Sequence, residues 1–346
     1  MADDIIITEI VAATAVGLDM MTTCSSVRSG IARFTEMDWR NSDYEPYISA
    51  KIPDNCLPLD EFKDVNEVTE QGKRVIGLLL HILEQLNENQ ISEDIPFLLG
   101  LPKSLDPTIS NIIQPIELVL KKKRPSNQYA FLPIAKGRAS GVLAIVSACN
   151  LLRTEKVEIA IAGGCDSYID KKIFKALEAD RRLKTEINLD YFTPGEGVGL
   201  VCLATEKAAL KYGLPVFGKI ASASVGFEDG HLYSDIPYKG EGLAKTFQSL
   251  FDVYQGECIK TVFSGMNGEG IWGKELGVSY IRNRDRFIDD FQIEHPADCY
   301  GDIGAASGPV MTGLAVKGMR NEYIKGPVLV YASSDDGDRG AVIIDS

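Results

Sequence analysis

The sequence predicts an α/β sheet protein in which one pattern occurs twice. Three observations carry this. Short runs rich in Val, Ile and Leu alternate with segments of helical period. Turns made of Gly, Ala and Ser lead from strands into helices in both halves of the chain. From Leu214 onward the order of strand, helix, strand, tight turn, helix and closing strand pair begins again. The repeat is one of pattern, with weak identity between halves, and it divides the chain at 1–206 and 207–346.

The elements follow in order. "DIIITEIVAATAV" is a buried strand running into a loop, and "MMTTCSSVRSGIARF" has helical spacing. Residues 35–60 are rich in Asp, Pro, Asn and aromatics and read as a surface excursion. The clearest helix is "VTEQGKRVIGLLLHILEQLNEN", where Val75, Leu78, Leu79, Ile82 and Leu86 form one apolar stripe. "IPFLLGLP" is a buried strand. "SNQYAFLPIAKGRASGVLAIVSACNLLRT" is a strand, a small-residue turn and a helix opening near Ala139. "EIAIAGGCDSY" is a strand expected to end in a tight turn on Gly163 and Gly164, because two residues without Cβ suit a turn or a close backbone approach. "FTPGEGVGLVCLA" is a glycine-rich turn into a strand, and "TEKAALKYG" a helix closed by Gly213.

In the second half "VFGKIASASVGF" is a strand, "GEGLAKTFQSLFDVYQ" a helix, and "IKTVFSGMNGEG" a strand ending in a turn. "GDIGAASGPVMTGLAVKGM" is a turn opening a helix. "GPVLVYASSDDGDRGAVIID" is two apolar strands around an acidic turn.

The composition bounds the function. The chain has 346 residues, 45% hydrophobic and 25% charged, with a formal net charge of −13. Such an acidic chain is repelled by phosphate backbones and anionic membranes, so neither is an expected partner. The run "KKKR" at 121–124 is the exception and reads as a solvated loop or helix end, with a basic docking patch as the alternative. The seven cysteines (Cys24, Cys56, Cys149, Cys165, Cys202, Cys258 and Cys299) are scattered and odd in number, which fits buried free thiols in a reducing compartment. His81, His231 and His295 are too far apart in sequence to suggest a metal site, and no cofactor is expected. There is no secretion signal and no apolar run of membrane-spanning length, so the expected location is the cytoplasm.

Three blocks carry a resemblance: "GRASGVLAIVSACNLLRTEKVEIAIAGGCDS", "DRRLKTEINLDYFTPGEGVGLVCLATEKAA" and "YGDIGAASGPVMTGLAV". In this order they resemble the β-ketoacyl-acyl carrier protein synthases, and PGEG-V-G at 194–199 is the most specific of their signals. The resemblance implies the thiolase-like fold, two βαβαβαββ halves layered as an αβαβα sandwich. It is thin over residues 35–125. It also implies that the double glycine lets the backbone pass close to the second half; packing alone would call for the same residues.

The chemistry implied by the resemblance needs a cysteine thiolate at a helix N-terminus and two histidines on turns of the second half. Here each of these positions is substituted. The nucleophile turn falls on "GRASG", which puts Arg138 where the cysteine belongs. The first histidine turn falls on "NGEGI", giving Asn267, and the second on "GDIGAASG", giving Asp302. The glycine-rich gate loop has become "SSDDGDRG" at 333–340. Cys149 and Cys165 read as inert core thiols, and Cys299, three residues before Asp302, is the best displaced nucleophile. His231 and His295 match no catalytic position.

A buried arginine at a helix N-terminus opposes the helix dipole and needs a counter-ion. The resemblance converges the three turns on one cavity, so Asp302 or Glu269 is the expected partner of Arg138, filling the space of an acyl thioester. The implied function is a catalytically inactive ketosynthase-like protein serving as a partner subunit, scaffold or adaptor. Two versions are a chain-length-factor-like subunit and an accessory protein of a bacterial secretion locus. The partner would be a ketosynthase-like subunit, a carrier protein or a secretion component, in a homo- or heterodimer formed through the strand near 129–135. The competing reading is an acyltransferase with a displaced nucleophile, and a third is a small-molecule sensor that keeps the pocket.

Overall fold

The computed structural model describes residues 4–59, 68–86, 95–103, 112–123, 130–154, 156–183 and 191–346. Arg124 of the basic run and Tyr129 of the expected dimer strand lie outside them. The first half contains β1 (Ile5–Thr14), α1 (Met20–Arg28), β2 (Thr35–Arg40), β3 (Pro46–Ser49), α2 (Glu70–Leu83), β4 (Pro96–Leu101), α3 (Ile113–Lys123), β5 (Ala130–Ala135), α4 (Ser140–Arg153), β6 (Ile159–Ser167), α5 (Lys171–Ala179) and β7 (Glu196–Thr205). After α6 (Glu206–Tyr212) come β8 (Gly218–Phe227), α7 (Glu241–Val253), β9 (Ile259–Phe263), α8 (Gly270–Arg282), β10 (Phe287–Glu294), α9 (Ala297–Tyr300), α10 (Ser307–Arg320), β11 (Val328–Ser333) and β12 (Asp338–Asp345).

The sheet order displays the duplication. Strands run β5-β4-β6-β7-β1 and then β8-β12-β11-β9-β10. Reading outward from the centre, each half gives the same directions: an antiparallel pair, a second antiparallel pair, then two parallel pairs. The halves join where Ile5, Ile6 and Ile7 of β1 face Ile220, Lys219 and Gly218 of β8, so ten strands form one continuous sheet.

The alternation of side chains builds the layers. On β6, Ala160 and Ala162 face a central core shared with α4 and α10, while Ile159 and Ile161 face an outer core with α2 and α3. On the second half, Val328, Val330 and Val342 face the central helices, and Leu329, Tyr331 and Ile343 face α7 and α8. This is the five-layered αβαβα sandwich. The α2 stripe is in place, with Val75, Leu78, Leu79 and Ile82 fully buried. Thr69 caps that helix by accepting the Gly72 amide.

Four features differ from the sequence reading or add to it. The excursion at 35–60 contains the hairpin β2–β3, whose Trp39 and Tyr47 rings meet Phe174 of α5. Helices α3, α5 and α8 and edge strand β10 fall in stretches whose periodicity is short. Strand β6 does not end at the double glycine but runs through to Ser167. The glycines serve close approach instead of a turn: a Cβ on Gly163 would lie 2.1 Å from Gly199 O, and one on Gly164 would lie 2.0 Å from Ala305 O in the second half.

Candidate functional site

The site lies where α4 and α10 begin. A single 3-10 turn, Gly137–Ala139, precedes α4, and its glycine has φ of 69°. That left-handed backbone suits glycine and turns the next side chain, Arg138, inward. Arg138 is 5% exposed, which leaves its charge dependent on protein partners. Asp302 precedes the matching turn, Gly304–Ala306, at the start of α10. Asn267 and Glu269 lie between β9 and α8, where Glu269 is the residue before the first helical turn.

These elements bring four of the predicted residues together. Arg138 Nε is 2.9 Å from Asp302 Oδ2. The contact is an ion pair without hydrogen-bond alignment, so Nε and Nη1 have no hydrogen-bond partner, while Nη2 donates to Gly265 O at 2.5 Å. Asn267 Nδ2 donates to Asp302 Oδ2 at 2.8 Å and to Glu269 Oε2 at 3.1 Å. Asp302 Oδ1 accepts the Gly304 amide at 2.8 Å. The guanidinium of Arg138 also lies 4.8 Å over the Trp272 ring. Gly163 and Gly164 support the site from β6 by their closeness to the second half and contribute no side chain.

Several further residues were not legible in advance. Arg182 forms a two-bond fork with Glu269, at 2.7 and 2.8 Å, and reaches Asp335 at 2.7 Å. Tyr233 OH accepts from Arg182 Nη1. Asp335 Oδ1 lies 4.0 Å from Arg138 Nη1, so it joins the two arginines. Behind Trp272, Ser333 at the end of β11 and Arg339 of β12 both bond the buried carboxylate of Glu275, at 2.5 and 2.6 Å. No spacing in the sequence marks Arg182, because it meets Glu269 across 87 residues of chain.

The electrostatics follow from burial and pairing. Burial alone would push the Arg138 pKa down, but Asp302 first, then Asp335, Tyr168 and Glu269, hold it above the ordinary value. Burial would raise Glu269, yet its bonds to Arg182 hold it below the usual carboxylate range. Asp166, on β6, is pushed up to about 7 by burial, with its bonds from Ala305 and Ser167 amides opposing part of that.

Space is distributed unevenly around Arg138. The hollow it shares with Asn267, Asp302, Tyr300 and Met311 measures about 10 Å³, room for about one water. On its other side an open cleft of about 470 Å³ is lined by Arg138, Asp166, Tyr168, Ile173, Arg182 and Asp335, among others. The thiols are elsewhere. Cys149 and Cys165 are fully buried, with burial pushing the first up to about 12 and the second well above its ordinary value. Cys299 is 7% exposed, and burial and then Asp298 raise its pKa. His231 and His295 do not join the network among the described residues. Among those residues no group of three or more His, Cys, Asp or Glu could hold a metal, and no helix is long and apolar enough to cross a membrane.

Comparison with known proteins agrees with this architecture. Residues 137–209 match the family described as β-ketoacyl synthase, N-terminal domain. The chain is 32% identical over 94 residues to the non-reducing polyketide synthase mapC of Penicillium roqueforti (strain FM164), a match covering 25% of this chain and 4% of that protein. The chain thus spans a small part of the curated relatives it matches. Among solved structures, a chain of the AntDE:AntF complex, a type II polyketide acyl-carrier protein with its ketosynthase, superposes with a TM-score of 0.81 at 11% identity, each chain covered in full. The ishigamide ketosynthase/chain length factor gives 0.79 at 12% identity, again over the full length of both. The ketosynthase from module 6 of the bacillaene synthase of Bacillus subtilis 168 gives 0.78 at 14%, covering 99% of this chain and 72% of that one. With the duplicated sheet and the five layers, the chain has the thiolase-like fold that these ketosynthase structures share, and the segment that matches the β-ketoacyl synthase N-terminal domain, residues 137–209, includes Arg138.

Proposed function

We propose that this protein is a catalytically inert member of the ketosynthase-like group and acts as a partner subunit, scaffold or adaptor. The observation that carries the reading is Arg138: a buried guanidinium, ion-paired to Asp302, stands at the start of α4 where acyl transfer needs a thiolate. Asn267 and Asp302 replace the two proton-handling positions and are spent on each other. An arginine cannot accept an acyl group in this role, and the hollow beside it holds no thioester. Similarity to a ketosynthase/chain length factor structure supports a subunit that accompanies an active ketosynthase. An adaptor in a bacterial secretion locus is the other version, and a cytoplasmic location suits both.

The partner surface in this reading is β5. Among the described residues it is the last strand on its side of the sheet, with Leu132 43% exposed, and an open strand edge is a template for pairing with a second chain. A homodimer or heterodimer through that edge fits the geometry.

The competing reading is acyl transfer from a displaced thiol, with Cys299 as the candidate. Its burial and raised pKa disfavour the thiolate that such chemistry needs. Intact-mass measurement after incubation with an acyl-carrier thioester, and with a cysteine-directed acyl inhibitor, tests the reading. The expected result is unmodified protein; a stoichiometric adduct on one cysteine would refute inertness.

A further inference from the structure

The turn between β11 and β12 has the composition of a mobile loop. Its sequence, Ser334-Asp335-Asp336-Gly337, is acidic and carries a glycine. Turns of this kind ordinarily open on their own, well below the stability of the core. Here the turn is held on all sides by other parts of the fold.

The side chains are engaged one after another. Ser334 Oγ accepts the Ala139 amide at 2.8 Å and donates to Lys136 O at 2.5 Å. Asp335 accepts from both terminal nitrogens of Arg182, at 2.7 and 3.3 Å. Asp336 pairs with Lys103 at 2.8 Å, and Asp338 with Lys136 at 3.5 Å. Arg339 donates to Ser334 O and Asp338 O, while Glu275 of α8 holds its Nε. The backbone is tied as well. Inside the turn, Gly337 N donates to Ser334 O and Ser334 N to Asp338 O. From outside, Glu228 N donates to Gly337 O at 2.8 Å and Leu232 N to Asp335 O at 3.1 Å. Chain from both halves therefore grips the turn.

The contacts divide by burial. Lys103 and Lys136 have side chains more than half exposed, so their ion pairs are screened and weak. Ser334 and Arg339 are 1% exposed and Arg182 is 7% exposed, so water does not readily replace their bonds.

We propose that the β11–β12 turn is a fixed strap and not the gate that the resemblance implies. Its buried contacts fasten it so firmly that it opens only when the whole fold opens, and Asp335 is the fastening point. Asp335 and Asp336 belong to the wall of the 470 Å³ cleft, so this wall does not retract. The strap concerns motion, goes beyond the reading above and stands whether or not the chain is inert.

The test is native-state hydrogen exchange on the full chain, read at segments 228–232 and 334–337 with β11 as the core reference. The bonded amides of both segments are expected to exchange within about tenfold of β11 and to accelerate with it as urea is added, the mark of global opening. Asp335→Asn is expected to fold, because Arg182 keeps Glu269 and Arg138 keeps Asp302. It should free the two segments by about a hundredfold or more while β11 changes by less than about tenfold. If that variant does not fold, the urea dependence of the parent decides alone. Lys103→Gln/Lys136→Gln should alter either segment by no more than about threefold. The proposal is overturned if the parent segments exchange fast and independently of urea, or if Asp335→Asn exchanges as the parent does. It is also overturned if the double lysine variant loosens the turn as much as Asp335→Asn. None of these outcomes alters the intact-mass result, which reads a thiol.

Discussion

The two central helices begin with almost the same five residues, Gly137-Arg138-Ala139-Ser140-Gly141 for α4 and Gly304-Ala305-Ala306-Ser307-Gly308 for α10. Each starts with a left-handed glycine, makes one 3-10 turn and continues as a helix of 14 residues. Their electrostatics are opposite. The start of α10 is met by two carboxylates: Asp302 accepts the Gly304 amide and Asp166 the Ala305 amide. The start of α4 is met by hydroxyls: Ser334 Oγ accepts the Ala139 amide and Ser140 Oγ the Lys136 amide. A guanidinium then lies against that dipole. The difference teaches that geometry and chemistry separate cleanly in this fold. One backbone solution serves both helices, and α4 tolerates its cation because Asp302 is supplied from the start of α10.

That comparison can be broken at its strongest link. Arg138→Met strands Asp302 as a buried, unpaired carboxylate and is expected to destabilise by about 3–5 kcal/mol in urea unfolding. Adding Asp302→Asn should recover much of the loss; a double variant no better than the sum of the singles would deny the coupling.

The glycines sharpen the comparison. At Gly304 a Cβ would sit 2.0 Å from Asp166 Oδ2, whereas at Gly137 the nearest atom is 3.6 Å away. Both have positive φ, so Gly137→Ala should cost about 1–2 kcal/mol from backbone strain alone. Gly304→Ala should cost about 1–3 kcal/mol more from overpacking. Equal melting shifts for the two variants would show that the α10 start is not the tighter one.

Asp166 makes the α10 side sensitive to pH. Its carboxyl is held up to about 7 in the folded chain, so between the ordinary aspartate value and about pH 7 the folded state binds more protons than the unfolded state. Stability from this group is therefore greatest at low pH and falls as pH rises towards 7, by on the order of a few kcal/mol. Denaturant midpoints measured from pH 5 to pH 8 should decline in the parent and flatten in Asp166→Asn. The smallest effect belongs to Ser334→Ala, which removes the acceptor for the Ala139 amide and should cost about 1 kcal/mol by thermal unfolding.

What could be read in advance follows from the range of the forces involved. The α2 stripe and the strand–helix recurrence are local periodicities, so they survive without the fold. The meeting of Arg138, Asn267 and Asp302 was readable because each sits in a glycine-bearing turn next to a strand or helix, and the resemblance brings those turns together. The run on Gly163 and Gly164 misled as to shape: absence of Cβ marks a close approach as well as a turn, and here β6 stays extended because Ala305 comes to it. Arg182, Trp272 and Asp335 were hidden for another reason. Their partners are assembled from different layers, and a lone charged residue in a loop carries no periodic mark. The hairpin β2–β3 and helix α5 share a small core around Phe174 that neither segment's pattern discloses separately.

The bare backbones of Gly141 and Gly164 both press on Ala305 O, at distances where a methyl would collide. Chain from one half thus forms the socket into which the other half's first helical turn is seated. Severing the polypeptide between β7 and β8 would leave each fragment with an open socket or an unseated turn. The molecule is in this sense a clasp whose two parts acquire their shape only when closed on each other.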